Sequence, residues 1–232
     1  SSAASDVYKR QQFKSLTMRA SYLSHDRTDL QFAVKRLVQS MAAPTCRDWQ
    51  RLKRLGRYVL GRPRVIYHYA WQPINLVVTV NADSDWAGDR STRKSTSGGV
   101  LRIGSYFIKS WSKGQSLIAL SSAEAELYAI LKGVSEALGY VSMLADWGHS
   151  VTCEAKADVS AALGIIARKG LGKLRHIDTT FRWLQQAECK RRVKFAKVAG
   201  VSNCADLGTR PLNADNINRH MSDLCAEFRS GR

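Results

Sequence analysis

The sequence predicts an α/β fold in which a mixed five-stranded sheet is flanked by helices and preceded by a small helical segment. From about residue 13 to residue 61, the apolar residues recur with the 3.6-residue period of helices. From residue 64 the period changes to two, which is typical of strands. Helical and extended segments then alternate along the chain. That order favours a mixed sheet with helices on its faces.

Two apolar stripes define the helical segment. The first consists of Leu30, Val34, Leu37 and Val38, and the second of Trp49, Leu52, Leu55, Val59 and Leu60. The rest of the second helix is basic, and it forms either a solvated face or a face that follows nucleic acid. The basic residues are Arg51, Lys53, Arg54 and Arg57. Residues 1–12 are polar and lack periodicity, and we interpret them as an adaptor or cloning scar outside the fold.

The predicted strands are blocks rich in β-branched and aromatic residues. After the extended segment VIYHYAW, the block INLVVTVNA leads to Asp83, and GGVLRIG and YFIKSWS form an antiparallel hairpin behind it. A long helix from about Ser122 to Trp147 precedes the strand VTCEAKA, which leads to Asp158. Short helices, the strand RVKFAKV and a terminal helix that opens near Ala205 complete the order.

The composition restricts the class of partner. Lys and Arg number 36 against 19 Asp and Glu, which gives a net charge of +17 and predicts a polyanionic partner such as nucleic acid. No run of about 18 apolar residues and no secretory leader is present, so we expect neither membrane association nor secretion. The five scattered cysteines are typical of reduced thiols in a cytoplasmic or nuclear protein.

Four acids stand beside apolar residues that would normally belong to a strand or a buried helix: Asp83, Glu126, Asp158 and Asp206. Burial of an ionised carboxylate costs several kcal/mol without a compensating partner, and four converging carboxylates repel each other. A pair of magnesium ions, held roughly 4 Å apart, is the simplest compensation. The sequence therefore predicts a two-metal site.

The residues alone leave alternatives open for each acid. Asp83 and Asp85 lie two apart and share one side of a strand, so either could be the ligand. Glu124 fits a capping box that begins at Ser121, which leaves Glu126 free for chemistry. Asp158 and Asp206 each stand where a helix opens, so each could instead be a helix cap.

Several blocks resemble the ribonuclease H domain of copia-type retrotransposon polyproteins, over about residues 75 to 212. They occur in the same order as in that family: ADSDWAGDRSTRKSTSGG, IKSWSKGQSLIALSSAEAELYAI, EAKADVSAAL, LRHIDTTFRWL and NCADLGTRPL. Upstream, the stretch from YLSHDRTDL to GRYVLG is similar to the end of the reverse transcriptase of these elements. The resemblance divides the chain into a helical reverse-transcriptase remnant (13–72), a ribonuclease H-like domain (73–212) and a C-terminal tail (213–232).

The resemblance implies that Asp83, Glu126, Asp158 and Asp206 are catalytic and bind two Mg²⁺ ions, for which Mn²⁺ could substitute. The implied reaction is hydrolysis of the RNA strand of an RNA–DNA hybrid. The implied partners are this hybrid and the remainder of the reverse transcriptase polyprotein, in a cytoplasmic virus-like particle or in the nucleus. The alternative is a catalytically silent nucleic-acid-binding module of the same fold. That alternative is favoured by Gly200 and Val201, because cellular and retroviral ribonucleases H carry a histidine in this loop.

Two sets of residues are candidates for contact with the nucleic acid. The loop after Asp83 offers the hydroxyls and backbone amides of Ser95, Thr96 and Ser97, although an ordinary polar hairpin loop would look the same. The basic stretch between residues 168 and 197 offers cations that could hold the DNA strand or the flanking duplex. The cations chosen from this stretch are Lys173, Arg175, Arg191, Arg192 and Lys194.

Overall fold

The computed structural model describes residues 2–73, 77–168 and 179–231. Its α-helices are α1 (Ser2–Leu23), α2 (Gln31–Gln39), α3 (Cys46–Gly61), α4 (Ser122–Asp146), α5 (Ser160–Ala167), α6 (Thr179–Cys189) and α7 (Ala214–Asp223). Its strands are β1 (Arg64–Tyr67), β2 (Val77–Asp85), β3 (Thr96–Ile103), β4 (Tyr106–Gly114), β5 (Thr152–Ala157), β6 (Lys194–Lys197) and β7 (Ala226–Arg229). Within the described ranges, no helix is both long and apolar enough to cross a membrane.

Five strands form one mixed sheet in the order β4-β3-β2-β5-β6. The pairs β2–β3 and β3–β4 are antiparallel, whereas β5 pairs with β2, and β6 with β5, in parallel. The predicted fold class is therefore confirmed. Because β2 and β5 run in the same direction, their carboxyl ends meet at one edge of the sheet, and Asp83 and Asp158 lie at that edge.

The extended segment around residues 64–67 lies outside this sheet. It forms β1, which pairs with β7 in an antiparallel ribbon, with Tyr67 opposite Ala226 and Arg64 opposite Arg229. Residues 213–231, which the sequence suggested only as a tail, thus supply both α7 and β7. Met221 and Leu224 of this segment are fully buried. The C-terminal segment is therefore part of a folded core.

Each face of the sheet has its own hydrophobic core. Alternate residues of β2, namely Val78, Val80 and Ala82, pack under helices α4, α5 and α6. On the other face, Val100 and Phe107 pack against α7 and a 3-10 helix at Cys204–Gly208. This short helix carries Asp206. Its position on the sheet brings that acid to the edge where Asp83 lies.

The helical segment packs against the sheet. Helices α1 to α3 enclose a small core of their own, in which Phe13, Leu30 and Leu37 are buried. Thr28 Oγ1 lies 2.8 Å from Ser110 Oγ of β4, and Arg62 stacks over the Phe228 ring at 4.2 Å. Helix α1 begins at Ser2, so part of the stretch interpreted as a cloning scar continues the first helix.

Candidate metal centre

Asp83 is buried near the end of β2, and its carboxylate accepts a hydrogen bond from the Thr209 hydroxyl. Thr209 follows directly after the 3-10 helix at Cys204–Gly208. The close approach of Thr209 to Asp83 depends on Gly98 of β3, which pairs with Asp83 of β2. A Cβ at Gly98 would lie 2.6 Å from the Ala205 carbonyl oxygen, so a larger residue would push the helix away from the strand.

Asp85 has different partners. Its carboxylate accepts a hydrogen bond from the Thr96 backbone N–H of the neighbouring strand. Burial raises the pKa of Asp85, and the Thr96 hydrogen bond and the nearby Lys35 ammonium oppose that increase. Asp85 thus ties the end of β2 to β3 and to the helical segment. Of the two acids that the sequence left as alternatives, the structure places Asp83 with the other carboxylates.

The start of α4 separates Glu126 from Glu124. Ser121 Oγ caps the helix by accepting from the Glu124 N–H at 3.2 Å, and Glu124 Oε2 accepts from the Leu120 N–H at 2.8 Å. Glu124 therefore closes the helix terminus as expected, although it bonds the residue before the cap. Glu126 Oε1 accepts from both the N–H and the hydroxyl of Ser84, at 2.9 and 3.0 Å.

Asp158 and Asp206 are not the helix caps that the sequence allowed. The cap position of α5 is Val159, whose side chain makes no capping bond, and Asp158 precedes it. Asp206 lies inside the 3-10 helix, which is capped by the Asn203 side chain. The prediction that Asp206 opens a terminal α-helix is therefore wrong. The Arg210 guanidinium pairs with Asp206 Oδ2.

Three of the four predicted acids converge on one point. Single carboxylate oxygens of Asp83, Glu126 and Asp158 all lie within 4.8 Å of one another. Asp206 is close enough for its charge to raise the pKa values of all three. The structure therefore brings all four predicted acids into one neighbourhood, with the tightest grouping among the first three.

Burial dominates the electrostatics of this cluster. It raises the pKa of Asp83 to about 8; the Thr209 hydrogen bond opposes this change, whereas the charges of Glu126 and Asp206 add to it. Burial also raises the pKa of Glu126 to about 7, against the two hydrogen bonds from Ser84. The pKa of Asp158 is raised for the same principal reason. Without a compensating cation, ionisation of the cluster is unfavourable.

The oxygen atoms of the cluster suit a hard divalent cation. Glu126 Oε2, Asp158 Oδ1 and Asp206 Oδ1 are buried and have no hydrogen-bond partner. Such atoms are rare in folded proteins, because each loses its hydration without replacement. Carboxylate oxygens are the ligands that Mg²⁺ and Mn²⁺ prefer. The donor set therefore fits the predicted ions.

The hydroxyls of Ser95, Thr96 and Ser97 are buried, contrary to the role expected for them. Ser95 Oγ accepts from the Ala87 N–H, Thr96 Oγ1 accepts from Lys35 Nζ, and Ser97 Oγ accepts from Gln115 Nε2. These bonds hold the loop and the strand ends together. The sequence placed all three residues in a loop before the predicted strand GGVLRIG, whereas Thr96 and Ser97 are the first residues of β3.

The predicted cations that can be located lie at or before the start of β6, whereas the acids lie beside its end. Arg191 and Arg192 belong to the turn before β6, and Lys194 begins that strand, whereas the sequence placed all three within a strand. Since β6 runs parallel to β2, its start lies at the sheet edge opposite the acids. Contact of these three cations with the nucleic acid stays a prediction. Lys173 and Arg175 lie outside the described residues.

Two cations near the acids were missed in the sequence. Lys197 ends β6 opposite Ala157, and its charge lowers the pKa of Asp158, as does that of Arg210. The direction of β6 would have identified Lys197, because a strand parallel to β5 delivers its last residue to the same edge. Arg210 was detectable only from its spacing of four residues after Asp206.

Comparison with known proteins identifies relatives among transposon polyproteins. The chain is 28% identical over 210 residues to the retrovirus-related Pol polyprotein from transposon RE2 of Arabidopsis thaliana, a match that covers 87% of this chain and 14% of that protein. It is 39% identical over 127 residues to an uncharacterized mitochondrial protein of the same plant, covering 53% of this chain and 51% of that protein. No protein-family model matches the chain.

The N-terminal ribonuclease H domain of a Mycobacterium tuberculosis protein aligns with 63% of this chain and 97% of its own, at 15% identity and a TM-score of 0.43. Because a TM-score of 0.43 is low, the fold is assigned from the strand order and strand directions of the sheet itself. The chain is thus homologous to the copia-type, retrovirus-related Pol polyproteins and has a ribonuclease H fold.

Proposed function

We propose that this chain is a metal-dependent endonuclease that hydrolyses the RNA strand of RNA–DNA hybrids during retrotransposon reverse transcription. The observation that carries the proposal is the convergence of Asp83, Glu126 and Asp158, with Asp206 beside them and three buried carboxylate oxygens lacking partners. Hydrolysis would leave a 5′-phosphate and a 3′-hydroxyl. The proposed setting is a cytoplasmic virus-like particle or the nucleus, with the remainder of the polyprotein as partner.

The four acids would hold two Mg²⁺ ions. When bound, such ions lower the pKa of the attacking water and neutralise the charge on the leaving oxygen. Ser84 fixes Glu126 by bonding one oxygen, which leaves Oε2 for a cation. Thr209 orients Asp83 in the same way through Oδ2. Orientation of ligands by such hydrogen bonds is a general feature of metal centres.

The charge of the chain supports a nucleic acid as the substrate. A net charge of +17 favours phosphate contacts, and Lys197 provides an exposed cation at the edge that holds the acids. Selectivity for the RNA strand would come from its 2′-hydroxyl groups, since these mark the strand to be cut. The charge therefore agrees with a nucleic acid as the substrate.

A silent nucleic-acid-binding module is the second candidate. The specific observation in its favour is the ion pair in which Arg210 already neutralises one oxygen of Asp206. The loop beside Asp158 adds to it, because a Cβ at Gly200 would lie 3.2 Å from Asp158 Oδ2 and the adjacent exposed side chain is Val201. A histidine is therefore missing where it could reach the cluster.

A cleavage assay separates the two candidates. The chain and an Asp158→Asn variant, purified in parallel, are incubated with strand-labelled hybrid and either Mg²⁺ or Mn²⁺. We expect the chain to cut only the RNA strand and the variant to lose this activity, because one ligand of the cluster is gone. Binding of the hybrid without cleavage by the unmodified chain would favour the silent module. Equal cleavage by both proteins would indicate a contaminating nuclease and contradict the proposal.

A further inference from the structure

An exposed apolar surface adjoins the metal centre. It consists of Trp86, Leu117, Ile118 and Leu120, whose side chains are between 53% and 67% exposed, and we name it the apolar platform. The Trp86 indole Nε1 donates to the Ala119 carbonyl at 3.0 Å, which places the ring against the segment that contains the other three residues. Grouped exposed apolar side chains are typical of contact surfaces.

The apolar platform is anchored to the elements that carry the acids. Trp86 follows the last residue of β2, three positions after Asp83, which corresponds to about 10 Å along an extended chain. Leu120 precedes α4, and its N–H is held by Glu124, two residues before Glu126. A molecule on the platform would therefore be fixed relative to the metal centre. About 10 Å equals roughly three nucleotide steps of a duplex strand.

The loop that begins at Trp86 is also basic. Arg90 and Arg93 are exposed at its tip, and the Asp89 carboxylate is held within the turn by the N–H and hydroxyl of Ser91, at 3.0 and 2.7 Å. The sequence suggested the buried hydroxyls at the far end of this loop as the contact. The exposed groups of the loop include an aromatic ring and two guanidinium groups.

Backbone contacts fix the conformation of this loop. Ala87 and Arg93 adopt left-handed conformations, with φ of 53° and 57°. The Ala87 N–H donates to Ser95 Oγ at 3.0 Å, and the Arg93 N–H donates to the Asp89 carbonyl at 2.7 Å. A Cβ at Gly88 would overlap the Asp85 carboxylate, so the chain folds back directly onto β2. The apolar platform and the two arginines are therefore presented together.

We propose that the apolar platform, with Arg90 and Arg93, binds the nucleic-acid strand next to the cleaved phosphodiester. The sugar and base faces pack on Trp86, and the phosphates lie on the two arginines. Charge complementarity favours this occupant, since the loop is basic and so is the whole chain, at +17. Aromatic stacking with cationic flanks is a common way to hold a nucleic-acid strand. The inference rests on the proposed function, because it takes the hybrid as the ligand.

The test measures hybrid affinity in the full chain that carries Asp158→Asn, so that the substrate stays intact. Adding Trp86→Ala is expected to weaken binding about ten-fold, whereas Trp86→Phe, which keeps an aromatic face, restores most of it. Trp147→Ala is the matched control: this tryptophan is also exposed, at 67% against 55% for Trp86, but it follows the far end of α4, about 30 Å along the helix from Glu126. The control is expected to bind as tightly as its parent.

Salt dependence distinguishes the two parts of the surface. Trp86→Ala is expected to lower affinity at every salt concentration without changing the slope of log affinity against log salt. The double change Arg90→Ala and Arg93→Ala is expected to reduce that slope by up to about 2. Ile118→Ser provides a second change on the platform, should Trp86→Ala lower the melting temperature.

Failures of the inference and of the proposed function give different results. If the unmodified chain cleaves the hybrid while Trp86→Ala and Ile118→Ser bind it as tightly as Trp147→Ala, the inference is overturned and the nuclease stands. The platform would then contact a protein. If hybrid is bound through Trp86 but never cleaved, binding of nucleic acid by the platform stands and the nuclease proposal fails. Absence of any hybrid binding overturns both.

Discussion

Replacing Glu126 by glutamine is expected to lower metal-dependent hybrid cleavage by about a hundred-fold or more. Loss of a group that merely orients a metal ligand typically costs 10- to 100-fold, so loss of a direct ligand should cost at least as much. Glutamine keeps an oxygen that Ser84 can bond, but it removes the negative charge at the partnerless oxygen Oε2. Initial rates of RNA-strand cleavage, measured against Mg²⁺ concentration, give the effect.

Glu124→Gln is the matched control for this change. It removes the same charge two residues earlier on α4, in a side chain that is equally buried. The amide oxygen of glutamine can still accept from the Leu120 N–H, so the helix terminus stays closed. We expect cleavage within about two-fold of the unmodified chain. The reverse outcome, with activity lost in Glu124→Gln and kept in Glu126→Gln, would assign the wrong acid to the metal centre.

In the absence of divalent cations, the free energy of unfolding is expected to fall as the pH rises from 4 to 8. The pKa values of Asp83 and Glu126 in the folded protein, about 8 and about 7, lie above their ordinary values. In this range the folded state therefore binds more protons than the unfolded state, and the free energy of unfolding falls as pH increases. The stabilising contribution of the two protonated carboxyl groups is fully present below about pH 4. It is lost as the pH rises through their pKa values in the folded protein.

The expected loss between pH 5 and pH 8 is roughly 2 to 5 kcal/mol, which corresponds to a decrease in melting temperature on the order of 10 °C. Melting curves in a chelator at several pH values provide the measurement. Saturating Mg²⁺ should remove most of the decrease, because binding to the folded state adds stability. In the chelator, Asp83→Asn should reduce the decrease in melting temperature between pH 5 and pH 8. A melting temperature that rises from pH 5 to pH 8 in both proteins would contradict this electrostatic description.

The acids could be predicted from the sequence because each combines a local pattern with a fixed place in a strand or helix. Asp83 lies near the end of an apolar strand, and Glu126 was separated from Glu124 by a capping pattern in which Ser121 caps α4. The pairing of β1 with β7 could not be predicted in the same way, since it joins segments some 160 positions apart. Local periodicity carries no information about such distant neighbours.

The location of the candidate nucleic-acid contacts could not be predicted from the sequence for a related reason. A basic stretch shows where cations occur in the chain, but strand direction decides which end of it reaches the acids. Lys194 and Lys197 belong to the same four-residue strand, yet only Lys197 lies at the edge near Asp158. The position of Trp86 is likewise set by tertiary structure, because its indole N–H bonds the Ala119 carbonyl of a distant segment.

The central claim is that the carboxylate cluster around Asp83 binds divalent cations, and calorimetric titration with Mg²⁺ at pH 8 tests it most directly. Asp85→Asn is the matched control, because this acid lies two residues away and bonds Thr96. We expect the unmodified chain and Asp85→Asn to bind the ion similarly, and Asp83→Asn to bind it at least ten-fold more weakly. Equal affinity in all three proteins, or a loss confined to Asp85→Asn, would contradict the claim.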